Sequence, residues 1–124
     1  MYAVVVKEKK YKIIYFQPAN RSPIQDFIAK QQKYVRAKIY RCLDLVEQYG
    51  SDTGMPFVKK IDSELFELRI RGSVEIRFLF AVRKDVAVML HGFKKKTQKI
   101  PLKELQLAKT RLKKYSIYVI KQYA

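Results

Sequence analysis

At 124 residues the chain is the size of one domain, and a 48% hydrophobic content supports a packed core, which excludes a disordered basic tail. A formal charge of +16 is extreme at this size. Such a field repels itself and points to an anionic partner: nucleic acid first, an anionic membrane surface or an acidic protein second. Cys42, the only cysteine, excludes an intramolecular disulfide and a cysteine-built metal site, and it suits a reducing cytoplasm. The first ten residues lack a signal-peptide layout, and the longest apolar region, Ile76 to Phe93, is broken by Arg77 and Arg83-Lys84-Asp85. A cytoplasmic protein without a membrane span is therefore expected.

In chain order, Tyr11 to Phe16 reads as a strand, with Val4 to Val6 extending or partnering it. Ser22 is a helix N-cap and Pro23 the first helical residue, followed by an apolar stripe of Ile24, Phe27 and Ile28. A second helix over Lys33 to Tyr49 carries Val35, Ile39, Leu43 and Val46 at three-to-four spacing and ends at Gly50. The two helices are expected as an antiparallel hairpin on one face of a sheet. Ser51 to Pro56 is a turn-rich loop. Strands at Leu65 to Arg71, Val74 to Val82 and Val86 to Phe93 are joined by links short enough for hairpins. Pro101 opens a last helix, Leu102 to Tyr115, with Leu105, Ala108 and Leu112 facing inward. The tail from Ser116 continues that helix or adds an edge strand. The whole is a single α+β domain.

Alternation along the strands divides their side chains between two faces. Phe66, Leu68 and Ile70, then Ile76, Phe78 and Phe80, then Val86, Val88 and Leu90 make an apolar face that belongs under the helices. The opposite face collects Glu67, Arg69 and Arg71, then Glu75 and Arg77, then Met89, His91 and Phe93. It is expected to be open, with arginines standing on rigid strands, where a preorganised site belongs. The last strand runs into Leu90-His91-Gly92-Phe93-Lys94-Lys95-Lys96-Thr97-Gln98-Lys99, and from Gly92 to Ala124 there are ten Lys/Arg against one acid, Glu104.

Each feature has a plainer alternative. The lysines can be a solvated charge run, His91 a structural histidine, and Arg69 and Arg77 cross-strand partners of Glu67 and Glu75. A metal role for His91 is not expected, since it is the only histidine and no carboxylate cluster accompanies it. No cofactor motif is present. The sequence holds no nucleophile elbow, no Cys-His-acid arrangement and no phosphate-cradling glycine loop. An enzyme with these parts needs a substrate that brings its own nucleophile. RNA does so through its 2′-hydroxyl, leaving the protein to orient the strand, stabilise the phosphorane and move protons.

Leu65-Phe66-Glu67-Leu68-Arg69, Ile76-Arg77-Phe78-Leu79-Phe80 and Leu90-His91-Gly92-Phe93-Lys94-Lys95-Lys96-Thr97-Gln98-Lys99-Ile100-Pro101, followed by Glu104 and Ala108, occur in order and at matching spacing over about residues 22 to 115. They resemble the phage-derived HigB-like branch of the RelE superfamily of toxins, with Ile76 replacing the aromatic usual before the third-strand arginine. The resemblance implies a RelE-like, mainly antiparallel mixed sheet and a toxin of a type II toxin-antitoxin pair that cleaves mRNA on the ribosome. It also implies a helix-turn-helix antitoxin as partner. Carried over by position, Arg69, Arg77, Lys94 and Lys96 act at the scissile phosphate. His91 is the acid-base candidate, while Arg71, Lys95 and Lys99 hold the RNA. Tyr115 and Tyr118 are further acid-base candidates near the C-terminus. The rival readings are a non-catalytic RNA- or ribosome-binding module and a structural partner of an acidic protein.

Overall fold

The computed structural model describes residues 8–123, so the Val4 to Val6 segment lies outside it. Strand β1 (Lys12–Tyr15) leads to α1 (Pro23–Ala29), whose N-cap Ser22 accepts from the Gln25 N–H at 3.3 Å. The Ser22 hydroxyl also donates to the Phe16 carbonyl at 2.8 Å, so one residue caps the helix and fixes its approach to β1. Helix α2 (Lys33–Tyr49) buries Val35, Ile39, Leu43 and Val46 and stops at Gly50. Gly50 has φ of +57°, and a Cβ there would stand 2.5 Å from the Tyr11 ring. Both the turn and the close approach therefore require glycine.

Strands β2 (Val58–Lys60), β3 (Phe66–Ile70), β4 (Ile76–Arg83) and β5 (Val86–Lys94) complete a five-stranded sheet of order β1-β5-β4-β3-β2. β1 runs parallel to β5 and the other pairs are antiparallel. The short edge strand β2 goes beyond the expected elements. Helix α3 (Leu102–Tyr123) includes the tail, which continues the helix and adds no strand. Among the described residues no helix is long and apolar enough to cross a membrane.

Register shows how the faces are used. Leu68, Phe78 and Gly92 form one cross-strand row, and the Phe27 ring of α1 meets Phe78 edge-on at 5.9 Å. This is the face under α1 and α2. A Cβ on Gly92 would lie 2.6 Å from Phe78 and 2.9 Å from Phe27, so glycine here admits the two rings.

Two expectations are corrected. In β5 the alternation breaks at a bulge: Leu79 pairs with His91 but Phe80 pairs with Met89, leaving Leu90 as the extra residue. Met89 therefore joins the row of Phe66 and Phe80 on the α1/α2 face, while Val88 pairs with Ala81 on the other. The second correction concerns that other face, which is covered in part by α3 through Ala108 and Leu112, both buried. A long helix with a three-to-four apolar stripe needs a surface to bury it, and the second sheet face supplies one.

Candidate functional site

The bulge is where the chemistry gathers. The Leu90 carbonyl, displaced from the ladder, accepts from the Arg111 guanidinium of α3 at 2.8 Å. That guanidinium also lies over the Phe16 ring, 5.6 Å from its centroid, and stands 3.4 Å from Nδ1 of His91. Nε2 of His91 meets the Glu104 carboxylate, and the imidazole stacks on Phe93 at 5.3 Å and 19°. With Arg111 as a permanent donor facing Nδ1, the fitting tautomer carries its proton on Nε2 and donates it to Glu104. Burial pushes the His91 pKa below the ordinary imidazole range. Glu104 opposes that shift and Arg111 adds to it. The ring is thus biased toward its neutral form, oriented and 14% exposed, with a lone pair beside a guanidinium. A proton acceptor next to a fixed cation can deprotonate a hydroxyl while stabilising charge on an adjacent phosphate.

The His-Gly-Phe triplet is explained residue by residue. His91 carries the polar group, Gly92 lets α1 pack on the reverse face, and Phe93 floors the imidazole.

The arginines stand on the expected face, but that face is not open at their row. Arg69, Arg77 and Phe93 form the next row on the same face, but Arg77 is only 2% exposed. Its guanidinium donates to Glu75 and to the Ile76 carbonyl, both at 2.9 Å, and lies 3.8 Å from Glu67. Arg69 pairs with Glu67 at 3.3 Å and has a side chain 13% exposed. Hydrogen bonding to Arg77, then to the Gly72 N–H, holds the Glu75 carboxyl below the usual carboxylate range. The ion-pair alternative therefore describes these residues, although the pairs run mainly along a strand and not across strands, and Arg77 is enclosed rather than on an open face. The two tight pairs each join residues two apart along one segment, and only the 3.8 Å approach of Arg77 to Glu67 crosses strands. Glu67 Oε2, Arg69 Nε and Arg77 Nε are buried without a hydrogen-bond partner.

The lysine run is divided by the pleat. Lys94 pairs with Ile76, in the α1/α2 face register, whereas the Lys95 N–H donates to the Glu75 carbonyl at 2.8 Å. Lys96 and Lys99 are exposed on the turn before α3, which the Thr97 hydroxyl braces by donating to the Lys99 carbonyl at 2.6 Å. Arg71 is exposed at the end of β3. Tyr115 and Tyr118 line a separate groove with Lys12, Tyr15, Arg83 and Lys84 that does not include His91.

Glu104 and Arg111 were not among the expected site residues, yet their spacing held a signal. Seven residues apart, with buried Ala108 between, they share one helix face. Glu104 is also the lone acid of the basic C-terminal stretch, a poor choice for a merely solvated position.

No curated protein matches this chain. The family model for phage-derived Gp49-like proteins (DUF891) matches residues 26–113, a span from within α1 to the second half of α3 that includes β3, β4, β5 and the His91 corner. On that match the chain belongs to the phage-derived Gp49-like family, a RelE-like, toxin-like group.

Proposed function

We propose that this protein is the toxin of a type II toxin-antitoxin pair of the HigB-like branch, an mRNA endoribonuclease acting on the ribosome and neutralised by a helix-turn-helix antitoxin. The observation that carries the reading is the Glu104–His91–Arg111 constellation beside an exposed lysine turn, in a chain with a charge of +16 and no nucleophile motif. In the proposed reaction the 2′-hydroxyl attacks the adjacent phosphorus. A 2′-oxygen–phosphorus bond forms as Arg111 turns from His91 Nδ1 to the phosphate, and the hydroxyl proton passes to the Nδ1 lone pair so freed. The phosphorus–5′-oxygen bond then breaks, with the 5′-oxygen taking a proton from solvent or a neighbouring lysine. Glu104 steadies the imidazolium and Arg111 the phosphorane. Lys95, Lys96 and Lys99 hold the strand, and Lys94 approaches it from the edge. Arg69 and Arg77 act at one remove, by fixing the β3–β4 frame beside Phe93.

The products would be a 2′,3′-cyclic phosphate and a 5′-hydroxyl. The test is to map RNA ends on translating ribosomes programmed with a defined mRNA. New ends of that chemistry are expected with the native protein and not with His91→Ala. RNA binding without new ends would reduce the protein to a basic binding module and overturn the catalytic reading.

A further inference from the structure

Between α2 and the end of β3 lies a groove of about 460 Å³ that the His91 chemistry does not use. Its floor is apolar, made by Cys42 and Leu45 of α2 with Ile70 of β3, and Phe57, 41% exposed, forms its lip. Its remaining charged lining is cationic throughout: Lys38, Arg41, Arg69 and Arg71. The Lys38 ammonium is spent on the Arg71 carbonyl at 2.7 Å, tying helix to strand, and Arg69 is spent on Glu67. Arg41 and Arg71 remain exposed, and among the described residues neither is in an ion pair.

We infer that this groove is a nucleotide subsite for single-stranded RNA, with a base against Phe57 over the apolar floor and the flanking phosphates on Arg41 and Arg71. The inference rests on the RNA reading above and extends it to a second position on the strand. Three features select a nucleotide over an acidic peptide. The space is that of a small-ligand pocket, not a trough long enough for a peptide segment. The free cations are both arginines, whose planar forks match phosphate. The lip is an aromatic face, the usual platform for an unpaired base. Arg69 also lines the groove, and it shares a cross-strand row with Phe93, two strand spacings or about 10 Å away.

Cys42 reports on the site, because it lines the groove and is the only thiol. The experiment measures maleimide labelling of Cys42 with and without a short single-stranded RNA, alongside RNA affinity by fluorescence anisotropy. Bound RNA is expected to slow labelling several-fold. Phe57→Ala is expected to weaken affinity by roughly tenfold, as loss of one stacked base would, and to abolish the protection. Arg41→Glu, at an exposed helical position where folding is not at stake, should do the same. RNA that binds with labelling unchanged and with Phe57→Ala affinity intact would overturn the groove while leaving the RNA reading standing. A native protein that binds no RNA even at low salt would sink both. Protection by an acidic peptide and not by RNA would overturn the inference in favour of a protein-binding groove.

Discussion

Two corners of one sheet face carry the same kinds of residue and put them to opposite uses. In the Arg69–Arg77–Phe93 row, two arginines are matched by Glu67 and Glu75 and sealed, Arg77 almost completely. In the neighbouring Glu67–Leu79–His91 row, the polar end is met by a helix that brings one acid and one base, and the imidazole keeps a partly exposed edge. Charge on a strand is therefore not the same as charge available to a ligand. What decides is whether residues close by in the β3–β4 hairpin already supply the counter-ion. The β3–β4 pair does, whereas the β5 end, with a bulge and four lysines beyond it, leaves the balance to α3.

The largest expected effect separates the corners outright. His91→Ala should lower ribosomal mRNA cleavage by roughly 10²-fold or more, the scale of a lost general base, with a smaller fall in the unfolding midpoint than Arg77→Met produces. Arg77→Met should do the reverse in kind. Removing one member of a buried ionic network costs about 3 kcal/mol, toward the low end of such losses because Arg69 still partners Glu67. Denaturant unfolding alongside cleavage assays tests both. A fully stable but inactive Arg77→Met would return that arginine to the phosphate site and collapse the comparison.

Gly92→Ala acts on the back of the same corner. Its methyl would press on Phe78 and Phe27, an overpacking expected to cost about 1–3 kcal/mol, read as a lower denaturation midpoint. A neutral result would mean that the α1 packing is softer than the edge-on ring contact implies.

The pH response belongs to the His91 corner alone. The proposed base is neutral imidazole with its pKa below the ordinary range, so cleavage should hold through neutral pH and fall only on further acidification. Glu104→Gln removes an interaction that raises the His91 pKa and should move the acid limb lower. Arg111→Ala removes one that depresses it and should move the limb higher. For stability the sign is the same. The unfolded chain binds this proton more readily, so the contribution is complete above the ordinary imidazole range and is lost as pH falls from there through the lower folded value. A limb that ignored both variants would remove His91 from the reaction.

Much of this architecture was legible because periodicity and punctuation agree: Ser22-Pro23 starts α1, Gly50 stops α2, and short links force the β3–β4–β5 meander. What escaped is physical in origin. The three-residue β2 is too short to show a period, and its only buried residue is Val58. The bulge at Leu90 is invisible to alternation, because either parity in Val86-Ala87-Val88-Met89-Leu90 yields apolar residues on both faces. That ambiguity is itself the mark of a strand covered on two sides, and it foretold that α3 would lie on the face taken as open. His91 and Phe93 kept their expected face because they lie on the far side of the bulge from Met89.

The smallest expected effect is a control that disentangles stability from activity. Lys84 sits in the two-residue turn joining β4 to β5, the strands that carry both corners, and its φ is +55°. A lysine in the left-handed region is strained, whereas glycine adopts it freely at some cost in unfolded-chain entropy. Lys84→Gly should therefore gain on the order of 0.5–1 kcal/mol, measured as a higher denaturation midpoint, and leave RNA cleavage where it was. If cleavage rose in step with that midpoint, the two corners would be sharing one limitation, the rigidity of the β4–β5 ladder. The loss in His91→Ala could then no longer be assigned to a missing base without first matching the stabilities of the variants.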